Sequence, residues 1–329
     1  CIRDSFLYRN AGDGTFVRVT EGDLVTREGG TCGFAWGDYD DDGDPDLFVT
    51  DRSTAPTSEG SSLYRNDGAM EFSRVEVEAL SSEPAPTASA TWVDFDNDGD
   101  LDLYATVFYG LANRLYRNDG GGKWVRVTEG PAVLDGGHSY GAAWADWDND
   151  GDLDLVVGNW GAAPVPYRND AGTLTRLDGS SLGRSVGFAS SLAWTDLDGD
   201  GGMDLSIAHW PNRPGPGEAN LLFVNRWSRG HWLGIRLRGV DSDTHGVGAR
   251  ITVTAGEGGP RGVQVREVVT HTGWRSQNSL VQHVGLGDAL QAVEIVVRWP
   301  SGNVDRLVDV VADQVIEIVE GQTAEPRTP

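Results

Sequence analysis

The sequence predicts an all-β chain, a β-propeller followed by a small β-sandwich-like domain, and three observations predict it. A segment opening on Trp and dense in Asp recurs four times, at steps of 56, 52 and 50 residues. Each copy runs on into a short apolar strand and then a hairpin, so the repeating unit is four short strands, the pattern of a propeller blade. Beyond residue 226 the Asp-dense segments stop and alternating strands take over.

In chain order, Leu7-Tyr-Arg-Asn10 and Phe16 match only the second half of a unit. Residues 1–20 therefore read as half a blade. A ring must close to remove its exposed edges, so a larger propeller is expected, one of seven blades for example, with its earlier strands preceding Cys1. Blades fill residues 21–226. Their Asp loops, at 38–46, 94–102, 146–154 and 196–204, align without gaps, from Trp36-Gly-Asp-Tyr-Asp-Asp-Asp-Gly-Asp-Pro-Asp46 to Trp194-Thr-Asp-Leu-Asp-Gly-Asp-Gly-Gly-Met-Asp204. The strand after each loop is apolar, as in Leu47-Phe-Val-Thr or Leu155-Val-Val-Gly. The hairpin signature then follows as Leu63-Tyr-Arg-Asn, Leu115-Tyr-Arg-Asn, Pro166-Tyr-Arg-Asn and a degenerate Leu222-Phe-Val-Asn. One Trp stands two residues before the first Asp of every loop, a position suited to packing between neighbouring blades.

The stretch Pro211-Asn-Arg-Pro-Gly-Pro-Gly217 reads as a linker or long loop. Residues 227–322 form the second domain, with strands expected at Trp232-Leu-Gly-Ile-Arg-Leu, Ala249-Arg-Ile-Thr-Val-Thr, Val263-Gln-Val-Arg-Glu-Val-Val, Val293-Glu-Ile-Val-Val-Arg-Trp and Gln314-Val-Ile-Glu-Ile-Val. Residues 323–329 are a tail.

Composition limits the partners. With 50 acidic against 26 basic residues the net charge is -24, which repels nucleic acid and anionic membranes. No apolar run approaches the roughly 18 residues that span a bilayer. The chain begins at Cys1 without Met, so an upstream segment is expected. Cys1 and Cys32 are the only cysteines. They can bridge in an oxidising compartment, and a Cys at position 1 can also be an acylated start; two cysteines decide neither.

The Asp loops carry the clearest chemistry. In D-x-D-x-D-G-x-x-D, alternate side chains at positions one, three and five point inward and Gly at six permits the tight turn. The carbonyl at seven faces in, and Asp at nine closes the shell. Such an all-oxygen set suits a hard cation of calcium's size. The ligands would be Asp38, Asp40, Asp42 and Asp46; Asp94, Asp96, Asp98 and Asp102; Asp146, Asp148, Asp150 and Asp154; and Asp196, Asp198, Asp200 and Asp204. The seventh position holds Asp44, Asp100, Asp152 and Gly202, where only a carbonyl is needed. About four calcium ions are expected, one per complete blade. An EF-hand is excluded, because position twelve is Val49, Ala105, Val157 or Ile207 in place of Glu.

These loops, each followed by an apolar strand, resemble the FG-GAP/VCBS repeat of integrin α-subunit propellers. The C-terminal part resembles the ASPIC/UnbV domain, the end module of the cartilage acidic protein family. Its resemblance rests on His245-Gly-Val-Gly-Ala-Arg-Ile-Thr-Val, Gly273-Trp-Arg-Ser-Gln-Asn278, His283-Val-Gly-Leu-Gly287 and Val297-Arg-Trp-Pro-Ser-Gly302. The two together cover nearly the whole chain. They imply a secreted or surface calcium-binding protein, and no particular reaction.

Each Asp loop joins the first two strands of a blade, so the outer ends of those strands must meet on the opposite face. That face collects Asp51, Arg52, Phe108, Tyr109, His138, Tyr140, Asn159, Trp160, His209 and Trp210. Two readings stand. In one they are inter-blade packing and loop residues. In the other, Arg52, Tyr109, Tyr140, Asn159, Trp160 and Trp210 bind a ligand, and His138 and His209, at similar places in blades three and four, are candidates for acid–base work. In the second domain, His271, Trp274, Arg275, Gln277 and Asn278 read as a turn packing on the propeller. No nucleophile elbow, P-loop, HExxH or dinucleotide fingerprint is present. The expected function is a secreted or cell-surface recognition or adhesion module for an extracellular protein or glycan. The alternative is an enzyme of lyase, cyclase or isomerase type working on the face opposite the calcium loops.

Overall fold

The computed structural model describes residues 6–322 apart from 28, 55–59, 69–70, 82–84, 185–186 and 211–218. Cys1 lies outside the described residues, and with it the Cys1–Cys32 pairing.

A two-stranded hairpin, β1 (Leu7–Asn10) and β2 (Phe16–Val19), comes first. Two four-stranded antiparallel blades follow. The first is β3 (Thr31–Gly37), β4 (Asp46–Asp51), β5 (Ser62–Asn66) and β6 (Phe72–Val75); the second is β7 (Thr87–Val93), β8 (Asp102–Val107), β9 (Arg114–Asn118) and β10 (Trp124–Val127). The third blade is β11 (Ser139–Ala145), β12 (Asp154–Ala162), β13 (Val165–Asp170) and β14 (Thr173–Arg176). The fourth has three strands among the described residues, β15 (Gly187–Thr195), β16 (Asp204–His209) and β17 (Leu221–Phe223). Blades three and four are not separate sheets, because β12 runs on past its hairpin and pairs β15 at Trp160↔Phe188.

The core lies between blades. Tyr39, Phe48 and Leu63 of the first cluster with Leu103 and Tyr116 of the second. Val93 and Tyr104 of the second cluster with Trp144, Leu155 and Tyr167 of the third, and Ala143 and Val156 of the third with Leu192, Trp194 and Leu205 of the fourth. Each large buried side chain is worth about 1.5–3 kcal/mol, so the apolar strand after each Asp loop holds the blades to one another. Two of the motif Trp residues do what their position predicts. Trp92 Nε1 donates to Ala35 O at 3.1 Å and Trp144 Nε1 to Thr91 Oγ1 at 3.1 Å, each reaching into the preceding blade. Trp36 packs edge-on against Phe72 in its own blade and stays 39% exposed.

The C-terminal part is two sheets over one core. A three-stranded sheet contains β18 (His231–Arg238), β21 (Gln282–Gly287) and β24 (Gln314–Val319). A four-stranded one contains β19 (Arg250–Ala255), β20 (Gln264–Glu267), β22 (Gln291–Arg298) and β23 (Val304–Val311). Alternate apolar residues such as Leu233, Ile251, Val284, Ile295 and Ile318 face inward and are wholly buried. The strands β21 and β23 add to the five expected from alternation, because Gly285 and Gly287 in one and Asp305 and Asp309 in the other interrupt the apolar pattern.

Candidate metal centres and the opposite rim

Strand register fixes the two faces. Gly37↔Asp46, Val93↔Asp102, Ala145↔Asp154 and Thr195↔Asp204 close the Asp-loop end of the blades. Thr31↔Asp51, Thr87↔Val107, Ser139↔Asn159 and Ala189↔His209 close the other end.

At the loop end, carboxylates converge in all four blades. Oxygens of Asp38, Asp40 and Asp42, of Asp94, Asp96 and Asp102, of Asp146, Asp148 and Asp154, and of Asp196, Asp198 and Asp204 lie within 4.8 Å of one another in each group. Two oxygens on opposite sides of one calcium ion at about 2.4 Å would stand this far apart, so the spacing fits. A second observation supports the fit: Asp96 Oδ1, Asp146 Oδ1 and Asp148 Oδ1 are buried and receive no hydrogen bond. A buried anionic oxygen without a donor is costly, and a cation satisfies it.

The position-nine Asp is placed with particular care. Asp102 accepts from Asn118 N at 2.8 Å and Phe95 N at 3.0 Å, Asp154 from Asn169 N at 2.7 Å and Trp147 N at 3.3 Å. Asp46 and Asp204 make the equivalent pairs with Asn66 and Tyr39 and with Asn225 and Leu197. Position five contributes to the cluster only in the first loop. In the others, Asp98, Asp150 and Asp200 each cap the N–H of the seventh residue, at 2.8–2.9 Å; Asp42 also caps Asp44 N. At position seven, Asp152 accepts from Asn97 Nδ2 and Ala171 N, while Asp44 and Asp100 lie beside Gly68 and Gly120. Burial raises the carboxyl groups, with neighbouring carboxylates adding to it: Asp38 to about 6, Asp94 and Asp150 to about 7, Asp46 and Asp146 to about 8 and Asp102 to about 9.

Sequence reasoning passed over the Asn that closes the hairpin signature. Asn118 Nδ2 donates to Leu101 O of its own loop and at 2.9 Å to Tyr39 O of the preceding one. Asn169 does the same with Leu153 O and Phe95 O, and Asn225 reaches Trp147 O at 2.7 Å. Its recurrence in every unit was the available signal.

The C-terminal part sits directly on this face. Gly285 N donates to Asp146 Oδ2 at 3.0 Å, Gly287 N donates to Asn149 O at 2.8 Å, and His283 Nε2 lies 2.7 Å from Asn149 Oδ1. Arg250 donates to the carbonyls of Asp38 and Gly99, and Arg298 pairs with Asp41. Burial pulls Arg266 down and, with Arg266 itself, holds His283 neutral at about 3. From here the 271–283 segment descends the inner strands, with Asn278 Nδ2 donating to Trp144 O and its Oδ1 accepting from Trp194 N. It ends at the far rim, where Ser191 Oγ donates to Arg275 O and Trp274 meets Tyr140 edge-on.

At that rim each blade carries the same β-bulge, between Thr31 and Gly33, Thr87 and Ser89, Ser139 and Gly141, and Ala189 and Ser191. Tyr140, the bulged residue of blade three, stacks on Trp160 at 5.2 Å, and Trp160 meets Phe188 at 4.6 Å. Arg52, Tyr109, Tyr140, Trp160 and Trp210 are brought together, joined by Trp274 and Arg275. Asn159 is not; it accepts from Ser139 Oγ at 3.0 Å and lines a separate recess of about 330 Å³ with Asp135 and Arg176. The two histidines are not equivalent, contrary to expectation. His209 ends β16 opposite Ala189, which makes Asn159 its counterpart, whereas His138 precedes β11 where blade four has Phe188. His138 is exposed against the Tyr109 edge, and His209 Nδ1 contacts Ala219 O at 2.8 Å. Among the described residues neither forms an ion pair with a carboxylate.

Comparison with known proteins agrees with the repeat and domain organisation. The family model described as FG-GAP-like repeat matches residues 3–49, 50–105 and 107–157, and the model described as ASPIC and UnbV matches 239–325. The loop at 196–204 lies outside both. Cartilage acidic protein 1 of Xenopus tropicalis and that of Homo sapiens are each 29% identical over 169 residues, 46% of this chain and 24% of theirs. The chain thus spans about a quarter of the length of the curated relatives it matches. Among solved structures, an Agrocybe aegerita lectin recognising non-reducing terminal N-acetylglucosamine is 14% identical with a TM-score of 0.31, covering 69% of this chain and 76% of its own. An AofleA variant from Arthrobotrys oligospora is 7% identical with a TM-score of 0.36, covering 88% and 90%. Scores this low carry no argument about this chain. The two family models do, and they identify the chain as an FG-GAP-like repeat protein with a C-terminal ASPIC and UnbV domain.

Proposed function

We propose that this chain is a calcium-stiffened extracellular propeller that serves as an adhesion or recognition module, binding a protein or glycan at the rim opposite its Asp loops. The observation that carries the metal reading is the set of buried, donor-free oxygens on Asp96, Asp146 and Asp148 inside clusters of the right spacing. Positions one, three and nine would hold the ion in blades two to four, and Asp38, Asp40 and Asp42 in blade one. Bound there, calcium would supply positive charge that ties the loop to the first strand pair of its blade. Asn118, Asn169 and Asn225 then pass that order to the neighbouring loop, and Asp146 passes it to Gly285 of the C-terminal part. Oxygen sites of this kind span a wide range of affinity, and weak ones suit the high calcium outside cells.

Recognition is favoured over catalysis because the rim gathers exposed aromatic and Arg side chains, while His138 and His209 have no carboxylate ion-pair partner among the described residues. Calorimetric titration of the chelator-stripped chain with calcium tests the metal reading. Four sites or fewer with a gain in melting temperature are expected, and no heat with no gain refutes it.

A further inference from the structure

The rim opposite the Asp loops holds an unusual pairing of groups. Arg52 lies over the Phe108 ring at 4.2 Å and near Tyr109 at 5.9 Å; Arg275 lies between Trp210 at 4.8 Å and Trp274 at 5.2 Å. One aromatic chain links them, since Phe108 meets Tyr140 at 4.4 Å and Tyr140 meets Trp274 at 5.7 Å. Neither guanidinium has a carboxylate partner among the described residues, in a chain with 50 acidic and 26 basic residues. By contrast, Arg65, Arg117 and Arg168 each pair with the Asp two residues on. Even Asp51, next to Arg52 in sequence, is turned inward to Gly30 N, Ser53 N and Arg27.

Two further observations point to a ligand. Tyr109 and Arg275 are held at φ of 63° and 52°, a left-handed conformation that is strained for side chains of this size and that clusters at functional sites. Tyr109 is 54% and Trp210 43% exposed, so large aromatic faces are kept in water.

We propose that this rim binds an anionic glycan chain, with sugar rings laid on the exposed faces of Tyr109 and Trp210 and carboxylate or sulfate groups held by Arg52 and Arg275. The proposal rests on the recognition reading and narrows it to one ligand class. The apolar C–H face of a sugar ring stacks on a flat aromatic ring, and a planar guanidinium already fixed against a ring meets a carboxylate or sulfate with two parallel hydrogen bonds. Against a net charge of -24, a local pair of Arg side chains without a carboxylate partner among the described residues would let a polyanion approach.

The test is titration of the calcium-loaded chain with oligogalacturonate, a size-matched heparin oligosaccharide and a neutral cello-oligosaccharide, at low and physiological salt. At least one acidic chain should bind, weakening with salt, with the neutral chain weaker by about tenfold or more. Preference between the first two tells carboxylate from sulfate. Arg52→Gln and Arg275→Gln should each weaken binding about tenfold with the melting temperature kept, and Arg275→Lys should fall between, since it keeps charge without the planar stack. Equal binding of the neutral chain, unchanged binding in both Gln variants, no binding of either acidic chain, or preference for an acidic peptide would each overturn the proposal. If a neutral glycan or a protein binds and Trp210→Ala abolishes it while the Arg variants do not, the rim remains a recognition surface and only the anionic ligand is wrong.

Discussion

Removing calcium at two pH values separates a structural metal from solvated Asp turns. Asp46, Asp146 and Asp102 have carboxyl groups raised to about 8, 8 and 9, mainly by burial. Between about pH 4 and those values the folded, metal-free chain holds protons that the unfolded chain has released. Its stability therefore falls as pH rises through that window, each such group contributing about 1.4 kcal/mol per pH unit. Asp102 is fully buried. Held protonated at pH 8, where the unfolded chain is ionised, it opposes folding by on the order of 5 kcal/mol, comparable to the whole stability of many domains. A bound divalent cation removes that opposition, and competition with protons weakens it at low pH. Melting by circular dichroism in calcium and in chelator, at about pH 5.5 and pH 8, should show a gap between the two on the order of 10 °C or more at the higher pH. The gap should shrink at the lower pH, where the chelated chain is the more stable of its two forms. A chelated chain that melts at one temperature at both pH values, or at the calcium temperature at pH 8, refutes the reasoning.

Five substitutions test the scaffold around the metal. Asp154→Ala strips the acceptor from Asn169 N and Trp147 N and should cost about 2–5 kcal/mol in denaturant melts even without calcium, whereas Asp148→Ala should lose stability only when calcium is present. Asn118→Ala cuts the link from blade two to Tyr39 O and should cost about 1–3 kcal/mol, seen as a lower denaturant midpoint. Trp144→Ala empties a buried site between blades and should cost about 3–5 kcal/mol, while Trp36→Ala, at the same motif position but 39% exposed, should cost about 1 kcal/mol or less.

The parts of this molecule that were legible in the sequence are the local ones. A metal loop whose ligands fall within nine residues announces itself by spacing, and four copies of Trp-x-Asp-x-Asp also set the blade length. The strand after each loop was legible because its apolar run is continuous, being buried on both faces. The shared bulge at Cys32, Ala88, Tyr140 and Ser190 was not, because four unlike residues occupy one backbone feature that only register reveals. Misreading His138 and His209 as equivalents has the same origin: one precedes a strand, the other ends one, and similar numbering offsets hid it. Long-range pairs were the least legible. Nothing near Gly285 in sequence signals that its N–H meets Asp146, or that Arg250 meets Gly99 O.

Those long-range pairs make one last expectation specific. The segment 271–283 spans the distance between the Asp loops and the far rim: His283 at Asn149, Asn278 between Trp144 and Trp194, Arg275 at Ser191 and Trp274 at Tyr140. Its upper end is anchored to the loop of blade three, where Asp146 offers one oxygen to Gly285 N while the other, donor-free, faces the carboxylate cluster. Without a cation, protonation or repulsion at that cluster must disturb the shared carboxylate, and the segment loses one of its few fixed points. Hydrogen exchange at 272–278 should therefore rise in chelator together with exchange in the 146–154 loop, although the two are far apart in sequence. The Asn278→Ala chain should exchange fast at 272–278 even in calcium, with the loop still protected. Protection of 272–278 that chelation leaves unchanged, while the loop opens, would show that the segment is held by the inner strands alone and that the metal centre and the rim are independent.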